Sequence, residues 1–323
     1  MPTAKPSGIA VGVDVGGTNT KIAAVTPTGK ILREQSLPSE VAAGPAKFVE
    51  RVSAVITSWR KEGLKVQALG LGLAGDVDSA AGTLRFTPNL RGWDGFKFRD
   101  ALARKLKLKA VVENDANAAV WGGFVVELKR KPKHVVGITL GTGVGGGLVL
   151  DGKLFRGATG SAGEIGHNTV ESGGAICNCG SRGCLEAYAG SYGIVRLARE
   201  AVEKDPAHGS VLKRICPDLS KLSPRDLSTA AEQGDEAARQ VWDRVGSLLG
   251  VGISNLVLIL NPECILILGG VSRAGHWIID PLKSVLSAKP FRTPFSAVEL
   301  RLADNPNAGC VGAGLLAFEK ESR

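Results

Sequence analysis

Two clusters and two turns in this sequence have the residue types and spacing that do chemistry. The stretch ICNCGSRGC (176–184) crowds Cys177, Cys179 and Cys184 into nine residues, and nine residues separate His167 from the first of them. One His and three Cys make a closed four-ligand set, the kind structural Zn²⁺ prefers, with no position left open for catalysis. A disulfide competes for the same thiols, and the spacing is not that of a common zinc finger. The second cluster is ENDAN (113–117), which ends the apolar strand KAVVEN and opens the helix ANAAVWGG. It places Asp115 at a strand's carboxyl end, where α/β proteins present ligand-contacting groups. As a general base a carboxylate there can take a hydroxyl proton. As a helix cap, Asn or Asp there has a purely local use.

The two turns are DVGGTNTK (14–21) and TLGTGVGGG (139–147), each following a strand. Glycine lets backbone N–H groups approach phosphate oxygens without a Cβ in the way. Thr18, Thr20 and Thr142 add hydroxyl donors, Lys21 adds positive charge, and Asp14 can hold a hydrated Mg²⁺ beside the phosphates. Each turn leads into a strand rather than a helix, so neither is a P-loop or a dinucleotide fingerprint. One such hairpin alone reads equally well as a glycine-rich β-turn.

The elements that must position these groups alternate between strands and helices. Residues 8–17 and 21–26 read as strands. GPAKFVERVSAVITSWRKEG reads as a helix with Pro45 in its first turn, Phe48, Val52, Val55, Ile56 and Trp59 on one face, and Gly63 as its stop. Then come the strand QALGLGLAG, a basic helix from Phe98 to Lys107, and the strand and helix around ENDAN. Helices are expected over 185–204 and 224–260, a buried strand at ECILILGG, and a last amphipathic helix in NAGCVGAGLLAFEKES. VGVDVGGTNTKIAAV (11–25) and VGITLGTGVGGGLVL (136–150) share a strand–turn–strand design, although only three of fifteen positions match. A repeated design, one per half, points to two related α/β domains.

At 323 residues the chain is long for one core and comfortable for two. Its net charge of +9 suits a polyanionic partner or a solvated basic surface. The segment LKRKPKH (128–134) is expected to be an exposed loop. The N-terminal apolar run is short and carries Asp14, so no signal peptide is expected. The window VGISNLVLILNPECILILGGV is broken by Asn261, Pro262 and Glu263, and reads as a buried helix end, a turn and a strand rather than a membrane span. A cytoplasmic protein is expected, and in that compartment thiols stay reduced, which favours a metal over a disulfide. Cys216, Cys264 and Cys310 are scattered and read as small apolar residues.

The motifs together resemble those of a known family. DxGGTxxK and LGTGxGGG look like the phosphate loops of the actin-like sugar kinases, and GGV (269–271) and AGCVGAG (308–314) like their adenosine-binding segments. ENDAN, GEIGH (163–167) and CNCGSRGCLE narrow the likeness to the ROK family. PNLRGW (88–93) resembles the sugar loop of its bacterial glucokinases. The likeness runs from about residue 10 to 318.

It implies two actin-like (ribonuclease H-like) domains with a cleft between them, drawn here at 1–115 plus 305–323 and at 116–304. It implies an ATP-dependent hexose kinase, a glucokinase, with Asp115 as general base. Asn89, Asn114, Glu164, His167 and Glu186 would bind the sugar. Asp14, Gly16, Gly17, Thr18, Asn19, Lys21, Gly141, Thr142, Gly143, Gly269, Gly270 and Gly312 would bind the nucleotide and its Mg²⁺. His167, Cys177, Cys179 and Cys184 would hold Zn²⁺, with the other nitrogen of His167 reaching the sugar. A homodimer that binds neither nucleic acid nor membrane is expected. The rival readings are a kinase for mannose, fructose, N-acetylglucosamine or N-acetylmannosamine, and a polyphosphate-using glucokinase. A sugar-sensing repressor is a further rival, disfavoured because the first hairpin begins at Asp14 and leaves no room for a helix-turn-helix ahead of it.

Overall fold

The structure is a computed structural model and describes residues 8–87, 89–303 and 305–319. Contacts divide it into two compact units: residues up to 133, 147–163 and those from 305 onward, and residues 134–146 and 164–303.

The first unit contains β1 (Ile9–Val15), β2 (Asn19–Val25), β3 (Ile31–Pro38), α1 (Pro45–Lys61), β4 (Val66–Leu73), β5 (Asp76–Asp78), β6 (Thr83–Phe86), α2 (Phe98–Leu106), β7 (Lys109–Asn114) and α3 (Asp115–Val126). The chain then forms β8 (Val135–Leu140) in the second unit, and β9 (Val144–Leu150) leads back to the first, followed by β10 (Lys153–Phe155). The second unit continues with α4 (Glu186–Ala189), α5 (Ser191–Lys204), α6 (Ser210–Ile215), α7 (Pro224–Glu232), α8 (Glu236–Leu260), β11 (Cys264–Leu268), α9 (His276–Ser287), α10 (Arg292–Ala297) and β12 (Glu299–Leu302). The last helix, α11 (Ala308–Leu316), belongs to the first unit.

The first sheet has the order β3-β2-β1-β4-β7 and the second β10-β9-β8-β11-β12. These are the same design: strands one, two and three laid outward from the middle, and two parallel strands added on the other side of the first. The shared strand–turn–strand design showed this relation although only three of fifteen residues match, because a strand needs only apolar side chains at the right parity and a turn only small residues.

The core of the first unit explains its helices. The face of α1 buries Phe48, Val52, Ile56 and Trp59, as the spacing predicts, while Val55 is only half-buried and Val49, not expected, is buried beside them. Phe48 meets Trp93 at a ring separation of 4.9 Å, and Trp93 meets Phe98 at 5.6 Å. Trp93 thereby ties the loop after Thr87 to α1 and α2, and its Nε1 donates to the Val41 carbonyl at 3.0 Å.

Helix α11 departs from the amphipathic expectation: every residue in it is buried. It lies against glycines on paired strands, Gly12 of β1 and Gly70 of β4. A Cβ on Gly12 would overlap the Cys310 carbonyl, and one on Gly70 the Ala313 carbonyl. Gly312 makes the same close approach to the Ala118 carbonyl of α3. The small residues of AGCVGAG are thus used to seat a helix backbone on a sheet. Residues 116–133, placed after the domain boundary on sequence, pack in the first unit through this α3–α11 contact.

In the second unit the two long helical stretches are broken. Gly190 is extended (φ −72°, ψ 151°) between α4 and α5, and Gly234 (φ +91°) separates α7 from α8. Helix α8 ends at Asn261 in the left-handed conformation, and β11 follows, so the apolar window is a helix end, a turn and a strand. Among the described residues α8 alone is long and apolar enough to cross a membrane, and 56% of its apolar window is buried in the fold.

Candidate active site

In the first unit, β1 and β2 place a turn of exposed residues, Gly17, Thr18 and Asn19, with Gly16 half-buried at its start. The Gly16 N–H donates to the Asn19 carbonyl at 3.0 Å, and the Ser39 N–H reaches the Thr18 carbonyl at 2.8 Å. Thr20 is a correction: it is fully buried and bonded to Ser39 Oγ at 2.9 Å, so its hydroxyl is not turned to a ligand. Strand alternation puts Thr20 on the core face, opposite its neighbours. Lys21 pairs with Asp14 in the β1–β2 register, and its Nζ donates to the Pro306 carbonyl at 2.6 Å. The exposed Asn89 lies against this turn, its Cβ 3.8 Å from where a Cβ on Gly17 would be. Thr87 Oγ1 holds its N–H at 3.2 Å.

At the end of β7 the two readings of ENDAN divide between neighbours. Asn114 is the cap: its Oδ1 accepts the Asn117 N–H at 3.0 Å, and its Nδ2 donates to the Gly75 carbonyl at 3.0 Å. Asp115 is the first helical residue, with Oδ1 accepting the Ala116 N–H at 2.9 Å. Burial raises its pKa, and backbone N–H groups oppose the rise.

Asp14 is pushed up to about 7, mainly by burial, then by repulsion from Asp115, with Lys21 opposing. It packs on Gly309 in the first turn of α11, where a Cβ would overlap its carboxylate. A carboxylate short of compensating charge is suited to a divalent cation, and no cation is needed to explain its position. A folded pKa above the unfolded 3.8 means the folded state binds the proton more tightly. Stability therefore falls as pH rises from about 4 through 7, and stays low above. Asp14→Asn removes this cost. With the free protein at pH 8 it stabilises by on the order of 2–4 kcal/mol, from a shift of about three units, and at pH 4 by almost nothing. Thermal melts at the two pH values check this, and an unchanged or lowered Tm at pH 8 would contradict it.

In the second unit the parallel strands β8 and β11 end side by side. The turn Gly141–Thr142–Gly143 follows β8, and Gly269 and Gly270 follow β11, both exposed. Gly269 (φ +97°) leaves no room for a Cβ beside the Leu140 carbonyl, so the two loops are adjacent. The start of α5 meets the same turn: Ser191 Oγ donates to the Gly141 carbonyl at 2.7 Å. Glu186 supports it from below, accepting the Val144 N–H at 3.0 Å.

The ligand atoms of His167, Cys177, Cys179 and Cys184 all lie within 4.8 Å of one another. Cys179 Sγ and Cys184 Sγ are 3.7 Å apart, and Cys177 Sγ is 3.8 Å from His167 Nδ1. All three thiols are free. For metal–sulfur bonds of about 2.3 Å, tetrahedral geometry puts sulfur atoms about 3.8 Å apart. The donor set fits Zn²⁺ in type, number and spacing. The other ring nitrogen, Nε2, stands 3.9 Å from Glu164 Oε2, and both side chains are more than a third exposed.

The site residues thus form two groups. Asp14, Gly16–Asn19, Lys21, Asn89, Asn114 and Asp115 belong to the first unit, and Gly141–Gly143, Glu164, His167, the three cysteines, Glu186, Gly269 and Gly270 to the second. Gly312 is buried at the α3–α11 contact. Sequence reasoning passed over Glu113, whose carboxylate is almost fully buried. The available signal was a charge inside an apolar strand, next to Asn114 and Asp115.

Two sheets of one order, each opening on a Gly/Thr hairpin, define an actin-like α/β fold. The chain belongs to the ROK family, whose family model matches residues 10–320. It is 38% identical over 273 residues to a glucokinase of Thermotoga maritima, covering 84% of this chain and 85% of the relative. A glucokinase of Halalkalibacterium halodurans is 37% identical over 321 residues, 97% of this chain and 96% of that one. The solved ROK family glucokinase of Streptomyces griseus, in complex with glucose and AMPPNP, superposes with a TM-score of 0.81 at 33% identity, covering 96% of this chain and 99% of its own.

Proposed function

We propose that this chain transfers the γ-phosphoryl group of ATP to the 6-hydroxyl of glucose. The observation that carries the reading is the likeness of nearly the whole chain to glucokinases, one of them solved with glucose and an ATP analogue. The local geometry supports it. Asp115 takes the proton of the 6-hydroxyl as that oxygen attacks, with its carboxylate oriented by the Ala116 N–H. Asn114, already holding Gly75 and Asn117, keeps one amide hydrogen and one lone pair for a sugar hydroxyl. Asn89, Glu164, His167 and Glu186 bind the remaining hydroxyls.

The backbone of Gly16–Asn19 and Gly141–Gly143 holds phosphate oxygens, Lys21 adds charge, and Gly269 and Gly270 border the adenosine. Gly312 contributes by letting α11 seat against α3. Asp14 is the residue that would hold the Mg²⁺ brought in with the nucleotide, an ion that would neutralise phosphate charge. Zn²⁺ held by His167, Cys177, Cys179 and Cys184 would serve as a structural pin. The protein works in the cytoplasm as a homodimer, with a sugar and a nucleotide as its ligands.

The test is an ADP-release assay with Mg²⁺-ATP against glucose, mannose, fructose, N-acetylglucosamine and N-acetylmannosamine. The highest kcat/KM is expected on glucose. A different best sugar would move the substrate, and silence on every sugar, with polyphosphate then active as donor, would overturn the choice of ATP.

A further inference from the structure

We infer that Glu113 is a positioning residue for the phosphoryl transfer, with Arg156 as its counterion; this rests on the reading of Asp115 as the base. The Glu113 side chain is 3% exposed, and its oxygens are taken up by donors of the protein itself. The two oxygens gather four donors from three separate stretches of chain. Oε1 accepts from Ser79 Oγ at 3.0 Å, from the Asn114 N–H at 3.1 Å and from Asn117 Nδ2 at 3.2 Å. Oε2 accepts from Arg156 Nε at 2.7 Å.

Two of these donors flank Asp115. The Asn114 N–H is the peptide that leads into it, and Asn117 is the residue whose own N–H Asn114 caps. One buried carboxylate therefore holds the backbone just before the base and the Asn117 side chain just after it. The others bring in the turn after β5 (Ser79) and the residue after β10 (Arg156), 43 positions away in sequence. Neutral side chains could make such bonds one at a time. A carboxylate makes all four, and bonds to an ionised acceptor are shorter and stronger than neutral ones. Burying it requires a cation, which Arg156 supplies.

Arg156 is itself 38% exposed, on the wall of a cavity of about 380 Å³ that also includes Ser79 and Trp121. Water can reach the exposed side of Arg156 when it is changed, whereas Glu113 has no such access, and the Tm of R156Q reports the cost of leaving Glu113 without its counterion.

The arrangement acts on the rate rather than on sugar affinity. A base displaced by an ångström loses on the order of 10²-fold in rate, whereas the sugar keeps its other ligands. Glu113→Gln keeps the size and one carbonyl oxygen but turns an amide against Arg156. The experiment compares wild type, E113Q, R156Q and the double variant for kcat, glucose KM, Tm and amide hydrogen exchange in the peptide covering 113–118. Expected is a 10–100-fold loss of kcat in E113Q with glucose KM within threefold. R156Q should lose 3–10-fold, the double variant should lose no more than E113Q, and exchange at 113–118 should be faster in all three.

A folded E113Q with kcat within twofold of wild type overturns the proposal, and so does a rise in KM at unchanged kcat. If E113Q does not fold, R156Q decides alone, and unaltered kcat with unaltered exchange overturns it. Wild-type turnover in the same assay reports on the kinase reading separately. If that turnover is absent, exchange at 113–118 still tests the anchoring of the ENDAN backbone.

Discussion

Asp115→Asn should lower kcat by about 10²–10⁴-fold, the usual contribution of a positioned general base, while glucose still binds. Asn keeps the Oδ1 that accepts the Ala116 N–H, and the cap at the start of α3 belongs to Asn114, so the helix start survives. What is lost is the capacity to take a proton. The pH profile adds a second reading. Burial raises the Asp115 pKa, so the acidic limb of kcat/KM lies above the ordinary aspartate value of 3.8. Activity falls as pH drops through that limb, because the base works only when ionised. Asp14 titrates nearby and repels Asp115, so the limb belongs to the pair. Stopped assays and calorimetric glucose titration of the variant check both statements. A variant retaining wild-type kcat would remove Asp115 as the base, and one that binds no glucose would make its role structural.

The second large effect concerns the thiol cluster. One zinc per chain is expected by elemental mass spectrometry, and Cys179→Ser should abolish it. Cys179 is the exposed thiol of the set, so its replacement leaves the buried packing of Cys177 and Cys184 in place. The thiol of Cys179 is also the one with a depressed pKa. Burial raises it, but the Ser181 N–H and the neighbouring thiols bring it down to about 7, whereas Cys184 is pushed up to about 12, chiefly by burial. Without metal, nothing covalent holds His167 to the loop at 177–184, and the orientation of Glu164 and Glu186 loosens with it. Glucose KM should rise 10–100-fold, the range seen when support around a metal centre is removed.

ATP KM should change less than threefold. The turn 141–143 does lose firmness where Glu186 holds Val144, but Ser191 and its own Gly141–Gly143 bond still hold it. A chelated, folded protein with unchanged glucose KM would rule this out.

Much of this was legible from sequence because local chemistry wrote it. Hairpins need glycine, a helix start needs Asn114, and α1 carries its apolar face at 3.6-residue spacing. The four metal-type ligands lie within eighteen residues of one another. What could not be read depended on distant partners. Glu113 was passed over, because its role shows only once Arg156, Ser79 and Asn117 are placed around it. Thr20 was counted as a donor because its neighbours are, and only strand parity and Ser39 turn it inward. AGCVGAG was read for a ligand, whereas its small residues answer first to the backbones of β1, β4 and α3. Gly190 and Gly234 broke helices because backbone conformation, invisible in an apolar pattern, decided there.

The most direct test of the account is to identify the product. Glucose labelled at carbon 6 is incubated with the protein and Mg²⁺-ATP, and followed by carbon and phosphorus NMR. A phosphate monoester with phosphorus coupling at carbon 6, formed one-for-one with ADP, is expected. Phosphate on another carbon, or ADP released with the sugar unchanged, would contradict it.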